Sequence, residues 1–293
     1  MGAIGVISWR GAAEPFGYVV GDSPTSGRSL AEAASLFRER GVSVVAIGGN
    51  DASQHRALSA LGTAFAGGPL PAIAIVGAGR DLLSLNLRLR GGASTLAALV
   101  EAQSAGVELP SVEVDTLELE GRLGFVFGTG LAVGFVEEVR RRKAVGRLSL
   151  AFELARVVAS AAIGGETVRR LHDRRRCRVE ADGEVWSKER FSGLLAGTLR
   201  RLPLGFSPLH RAGELPRTFH LVGLAATPAA LPGELARLGS GLPLSPGRSI
   251  DAVARQVILT SDRPFRYLLD GVPYDAGEVL RLTVGPRLRI IVQ

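Results

Sequence analysis

The 293-residue sequence contains one cysteine, one methionine, three tyrosines and two tryptophans, and aromatic residues make up only 5% of it. The lone Cys177 can neither close an intrachain disulfide nor supply a Cys-x-x-Cys metal site, so nothing points to an oxidising compartment and a cytoplasmic setting is expected. Lysine is scarce as well: of 35 basic residues only Lys143 and Lys188 are lysines. The arginines are spread over the whole length, and the clusters Arg140–Arg142 and Arg174–Arg176 lack interleaved aromatics. A nucleic-acid surface is therefore not expected in spite of the net charge of +7. A basic surface that meets anionic lipid or phosphate is the better reading of that charge. No polar low-complexity tract occurs, and 46% hydrophobic residues against 22% charged exclude a mainly disordered, collagen-like or disulfide-scaffold chain. A membrane span is not expected either. Residues 57–79 carry no charge, but Gly67-Gly68-Pro69-Leu70-Pro71 splits them into a short apolar helix and a strand, Ala72–Val76. The N-terminus has no basic region, and its GAIGVI run is too short for a secretory signal.

The length predicts two domains. In the first half, residues 3–8 and 43–47 read as short buried strands. The helix between them opens with a capping box, Ser29 and Glu32, and stops at Gly41. After Gly48-Gly49-Asn50-Asp51 come a helical stretch to Leu61, the strand 72–76, the turn Gly77-Ala78-Gly79 and a helix over about 94–105. Strand, helix, strand, helix, strand implies a parallel sheet. From Val112 the texture changes. VEVDTLEL alternates, Glu120-Gly121 turns and LGFVF returns. Asp182-Gly183 and Asp270-Gly271 mark two more hairpins, LRLTV and LRIIV close the chain, and one helical region covers roughly 131–170. The expected architecture is an N-terminal α/β domain with a parallel sheet over 1–111 and a C-terminal antiparallel β-sandwich domain over 112–293, with a cleft between them.

A Gly-Gly pair directly after an apolar strand places backbone N–H groups at the carboxyl end of a parallel sheet, where the next helix N-terminus adds partial positive charge. That arrangement suits phosphate. It recurs at Gly77-Ala78-Gly79, so two such turns fall at neighbouring strand ends, although tight strand-to-helix turns alone would need the same glycines. His55, His172, His210 and His220 show no metal-ligand spacing with Cys or carboxylates. No Gly-x-Ser-x-Gly elbow is present, which argues against hydrolase chemistry.

The segments GGNDASQHR (Gly48–Arg56) and PAIAIVGAGRDLL (Pro71–Leu83), followed by a β-rich half ending in RPFRYLLDGVPYDAGEVLRLTVGPRLRIIV, resemble the diacylglycerol kinase catalytic-domain family of lipid kinases. That family includes the sphingosine and ceramide kinases and is related to the NAD kinases. Its Gly-Gly-Asp-Gly-Thr loop is matched by Gly48 and Gly49, with Asn50, Asp51 and Ala52 departing. Its Gly-Thr-Gly-Asn-Asp loop is matched by Gly77, Gly79 and Asp81, with Ala78 and Arg80 departing. Its late Asp-Gly-Glu is matched by Asp270 and Gly271, with Val272 in place of the glutamate. Ser8-Trp9-Arg10 stand where the family has an Asn-Pro loop.

The resemblance implies a nucleotide site formed by Gly48, Gly49, Asn50, Gly77, Ala78, Gly79, Arg80 and Asp81, with ATP and Mg2+ as cofactors. Asp51 and Asp270 are the catalytic candidates, and the metal ligands are left open. The implied reaction moves the γ-phosphate of ATP to a lipid hydroxyl of diacylglycerol, sphingoid-base or ceramide type. The lipid would be met at an anionic membrane surface by a cytoplasmic protein, with peripheral attachment to the inner face and a homodimer both allowed. Asp51 can take a proton from a hydroxyl where Asn50 cannot, or it is only a helix N-cap. Two alternatives stay open: a lipid- or nucleotide-binding protein of this fold without transfer activity, favoured by Asn50 and Val272, and a kinase for a soluble substrate.

Overall fold

The computed structural model describes residues 3–10, 14–20, 29–77, 81–89, 93–141, 175–202, 206–227, 229–239 and 242–292. The chain divides into two compact units, Met1–Gly124 with Gly285–Gln293, and Phe125–Val284.

In the first unit, β1 (Ala3–Arg10), β3 (Val42–Ile47) and β4 (Ala72–Ile75) run parallel. Ile7, Val45, Ile47, Ile73 and Ala74 are wholly buried, as strands covered on both faces require. The helix α1 (Leu30–Glu39) has the expected capping box, in which Ser29 accepts from the Glu32 N–H and Glu32 accepts from the Ser29 N–H. It is followed by α2 (Asp51–Ala64), α3 (Leu82–Leu87) and α4 (Ala93–Ser104). Leu99 of α4 packs with Ile4, Val6, Ala46, Ala72 and Ala74 on one side of the sheet. One strand was not expected: β2 (Glu14–Val19) pairs antiparallel with β1 from Gly5–Val19 to Arg10–Glu14. Ser8-Trp9-Arg10 thus continue a strand. Beyond β5 (Ser111–Val114), the hairpin of β6 (Leu117–Leu119) and β7 (Arg122–Gly124) turns at Glu120-Gly121, with φ of 50° and 74°.

The last strand of the chain, Leu288–Ile291, corrects the expected domain limits. It belongs to the first unit, lying between β4 and β5, parallel to β4 at Ile290–Ile73 and antiparallel to β5. The four residues of β4 are buried throughout, and an unpaired edge there would leave buried backbone N–H and C=O groups unmet. The returning segment is anchored by Arg287, which pairs with Asp115 at 2.9 Å and with Glu113 at 2.8 Å. The Thr116 hydroxyl donates to the Pro286 carbonyl over 2.6 Å. The other limit falls at Gly124, after the β6–β7 hairpin, because Leu123 packs against α2 at Gly62.

The second unit is antiparallel, as expected. It runs β8 (Val126–Thr129), α5 (Leu131–Arg141), β9 (Arg175–Ala181), β10 (Glu184–Val185), β11 (Arg190–Phe191), β12 (Gly193–Gly197), β13 (Phe219–Leu224), α6 (Leu231–Gly239), β14 (Ser249–Ala254), β15 (Gln256–Ser261), β16 (Phe265–Leu269), β17 (Val272–Ala276) and β18 (Val279–Val284). One sheet has the order β14-β13-β12-β8-β16-β17. A second group has the order β10-β9-β15-β18, with β11 also on β9. The helical region expected over 131–170 is a helix as far as Arg141, and the rest lies outside the described residues.

Ile290 is wholly buried in the middle of the first sheet, so Ile290→Ala is expected to cost about 2–5 kcal/mol. Amide exchange should accelerate in β3 and β4 and stay unchanged in β13. Equal protection of β3 and β4 in wild type and variant would contradict the placement of this strand.

Candidate phosphate-binding site

The strands β3 and β4 pair in register from Val44–Ala72 to Ile47–Ile75. The Gly48 N–H then donates to the Ile7 carbonyl and the Val76 N–H to the Ile47 carbonyl, each over 2.9 Å. Gly48-Gly49 and Gly77 therefore leave the sheet at one level, along its carboxyl edge. Gly49 has φ of +89°, and a Cβ there would fall 2.5 Å from that of Ser53. A Cβ on Gly77 would fall 2.8 Å from the Gly49 carbonyl oxygen, so the two turns touch and neither tolerates a side chain.

From Gly49 the chain enters α2. Asn50, not Asp51, is its N-cap: Asn50 Oδ1 accepts from the Ser53 N–H over 3.1 Å. The N–H groups of Asp51 and Ala52 have no acceptor among the described residues and point out of the first turn, where the helix dipole adds positive charge. Asp51 does something the sequence did not suggest. Its Oδ1 accepts from the Leu82 N–H over 2.6 Å, stitching the start of α2 to the start of α3. Asp81 caps α3 with both oxygens, accepting from the Ser84 N–H at 2.9 Å and the Ser84 hydroxyl at 2.8 Å. Burial pushes the Asp51 carboxyl up to about 6, the Leu82 N–H partly opposes this, and the neighbouring Asp81 carboxylate adds to it.

Below the turns, the Gln54 side chain is 3% exposed and its Nε2 has no hydrogen-bond partner. That nitrogen lies 3.7 Å from the position a Gly77 Cβ would take. A buried amide donor left open at this point suits an anionic oxygen or an ordered water. Ser8 and Trp9 also border the site: Ser8 Oγ and Trp9 Cε3 stand 3.4 and 3.2 Å from where Cβ atoms of Gly48 and Gly49 would be. Sequence reading missed both as site neighbours, although their position at the end of an apolar parallel strand was a usable signal.

Of the residues expected at the site, Gly48, Gly49, Asn50, Asp51, Gly77 and Asp81 come together in the first unit. Ala78, Gly79 and Arg80 lie outside the described residues. Asp270, the other residue expected to be catalytic, is in the second unit. It is buried at φ of +48°, and its Oδ1 accepts from the Phe125 and Val126 N–H groups, each over 2.9 Å. Asp182, first residue of the other Asp-Gly turn, holds the Arg255 and Gln256 N–H groups in the same way, at 3.0 and 2.8 Å. The same device is thus used at two Asp-Gly hairpins, where the carboxylate satisfies backbone donors. Val272, where the resemblance places a glutamate, is buried.

No three His, Cys, Asp or Glu side chains among the described residues form a metal-holding group. His55 is a core histidine, its Nδ1–H donating to the Leu123 carbonyl over 2.8 Å, and burial holds it down to about 4. Cys177 is buried, and desolvation pushes its thiol up to about 12, with a backbone hydrogen bond at Thr260 opposing this and the Asp262 carboxylate adding to it.

The chain thus forms an α/β unit with paired glycine turns, followed by an antiparallel β unit whose chain returns to the first sheet. Among solved structures, this chain is similar to a diacylglycerol kinase from Bacillus anthracis str. Sterne. The two share 13% identity at a TM-score of 0.59, over 91% of this chain and 83% of that one. Two further structures from that organism, provisionally described as a diacylglycerol kinase, share 12% identity at a TM-score of 0.63, over 90% of this chain and 82% of theirs. The chain has the fold of these bacterial proteins. No family profile and no curated protein matches its sequence. No helix among the described residues is long and apolar enough to cross a membrane.

Because the folded-state value of Asp51 lies above the free one, the folded chain binds more protons than the unfolded chain between pH 3.8 and about 6. Wild-type stability therefore falls as pH rises through that window. Asp51→Asn keeps an acceptor for the Leu82 N–H and removes the charge. The variant should match or exceed wild type at pH 7.5, by at most about 3 kcal/mol, with the difference vanishing near pH 4. A variant that becomes less stable than wild type as pH rises from 4 to 7.5 in denaturant titrations would show that the charge supports the fold.

Proposed function

We propose that the chain binds ATP at the carboxyl edge of β3 and β4 and transfers its γ-phosphate to a lipid hydroxyl of diacylglycerol, sphingoid-base or ceramide type. The observation that carries this reading is the pair of touching glycine turns, with Asp51 joining the helix starts behind them. The free N–H groups of Asp51 and Ala52 face phosphate oxygens at the positive end of α2. The open Nε2 of Gln54 and the absence of a Cβ at Gly49 and Gly77 fit a phosphate held close to backbone.

Asp51 Oδ1 is engaged by Leu82, and Oδ2 has no hydrogen-bond partner among the described residues. A carboxyl held near 6 is suited to accept the proton of the attacking hydroxyl as the new O–P bond forms, while ADP leaves with the electrons of the broken bond. Mg2+ would arrive on the nucleotide phosphates with much of its water, and Asp51 would be the residue to meet that water. When bound, it neutralises phosphate charge. The arginine-rich composition and net charge of +7 support work at an anionic membrane surface.

A second reading is nucleotide or lipid binding without transfer. The buried Val272, the use of Asn50 as a cap and the engaged carboxylate of Asp270 favour it.

Thermal unfolding with and without nucleotide, in the presence and absence of Mg2+, tests the nucleotide site. Ligand at a hundred times its dissociation constant adds about 2.7 kcal/mol, and no shift at millimolar nucleotide would remove the kinase reading and leave only lipid binding. Single-turnover transfer to a broad lipid panel then separates the two readings from each other. Asp51→Asn is expected to lower the rate by about 10²-fold or more with nucleotide affinity retained. Equal rates would refute the role given to Asp51, and no transfer by wild type would leave the binding protein.

A further inference from the structure

The second unit carries a polar cluster that the proposed kinase chemistry does not use. His220 lies on β13, opposite Val253 of β14, and its side chain is 0% exposed. Asp251 lies two residues before Val253 on the same face, and its Oδ2 stands 3.1 Å from His220 Nε2. The same oxygen accepts from Arg211 Nη1 over 2.9 Å. A carboxylate oxygen already facing a guanidinium acts as an acceptor, so Nε2 carries the ring proton and Nδ1 presents a bare lone pair. That Nδ1 is buried and has no hydrogen-bond partner. The half-buried ring of His210 packs edge-on against it, with ring centres 4.9 Å apart at 78°.

We propose that His220 Nδ1 and His210 form a binding site for a first-row transition-metal ion of the Zn2+ type, separate from the nucleotide site. Three features of the cluster converge on it. An unpartnered buried imidazole nitrogen needs an explanation, and a metal ion supplies the missing partner. A histidine whose other ring nitrogen is held by a carboxylate is the arrangement found behind metal ligands, because it fixes the tautomer and ring orientation. Two imidazoles on one tetrahedral Zn2+, at metal–nitrogen distances near 2.0 Å, have ring centres about 5 Å apart. The two ring centres stand 4.9 Å apart in an edge-on contact, so His210 has to turn until one of its nitrogens faces His220 Nδ1.

Around the pair, Asp251 and Glu214 flank Arg211, with Glu214 Oε2 at 2.8 Å from Arg211 Nε, so two carboxylates face one guanidinium. No third ligand is preset among the described residues, and water completes the coordination. The site is accordingly an exchangeable one and not a folding clamp.

The test is a calorimetric titration of the full chain with Zn2+ after chelator treatment and dialysis. Wild type is expected to bind one equivalent. His210→Ala, at a half-buried position, should weaken binding at least tenfold, and Asp251→Asn by about 10- to 100-fold. Imidazole nitrogen resonances give a readout that needs no variant: Zn2+ should shift His220 Nδ1 and one His210 nitrogen while leaving His55 unmoved. Absence of binding at millimolar Zn2+, undiminished affinity in His210→Ala, or shifts confined to other histidines would each overturn the proposal.

Discussion

The in-register parallel pairing of β3 with β4 is the constraint on which the candidate site depends. It brings Ile47 and Ile75 level, and the two turns that follow must then share one small volume. Gly77 lies against the Gly49 carbonyl, α2 and α3 start side by side, and the Asp51 carboxylate meets the Leu82 N–H. A one-residue slip would also turn each strand's buried side chains to the opposite face. The raised pKa of Asp51 is a consequence of the same crowding, since the turns that bring helix starts together also exclude water from the carboxyl.

A second dependency runs through the chain ends. The sheet that holds both turns is completed by the last strand, and Ile73 meets Ile290 only after the whole second unit has been threaded between them. Such a non-local contact closes a long loop and forms late if ordering follows sequence separation. Two segments flank the second unit, Arg122–Gly124 before it and Gly285–Leu288 after it, and both are tied into the first unit by Leu123, Thr116 and Arg287.

Much of the fold was legible because its signals are local. The Ser29–Glu32 capping box, the three Glu/Asp-Gly hairpins and the glycine turn after an apolar strand each express chemistry within four residues. What escaped depends on distant partners. Glu14–Val19 holds a proline and a glycine, and the edge offered by β1 makes it a strand. LRII can add to either kind of sheet, and nothing in it names the buried edge of β4. Asp51 and Asp270 looked alike as carboxylates beside glycines. Their partners, Leu82 in one case and Phe125 with Val126 in the other, set apart a carboxyl that accepts one backbone N–H at the edge of β3 and β4 from one that holds two.

The central claim is that the two glycine turns act together as one phosphate site. Backbone amide chemical shifts of the full chain, recorded during titration with ADP and Mg2+, test it most directly. The account predicts that the Asp51 and Ala52 amides move first and furthest, together with Gly49, Gly77 and the Gln54 side-chain amide. Saturable binding that leaves all five unmoved and shifts residues elsewhere would contradict it.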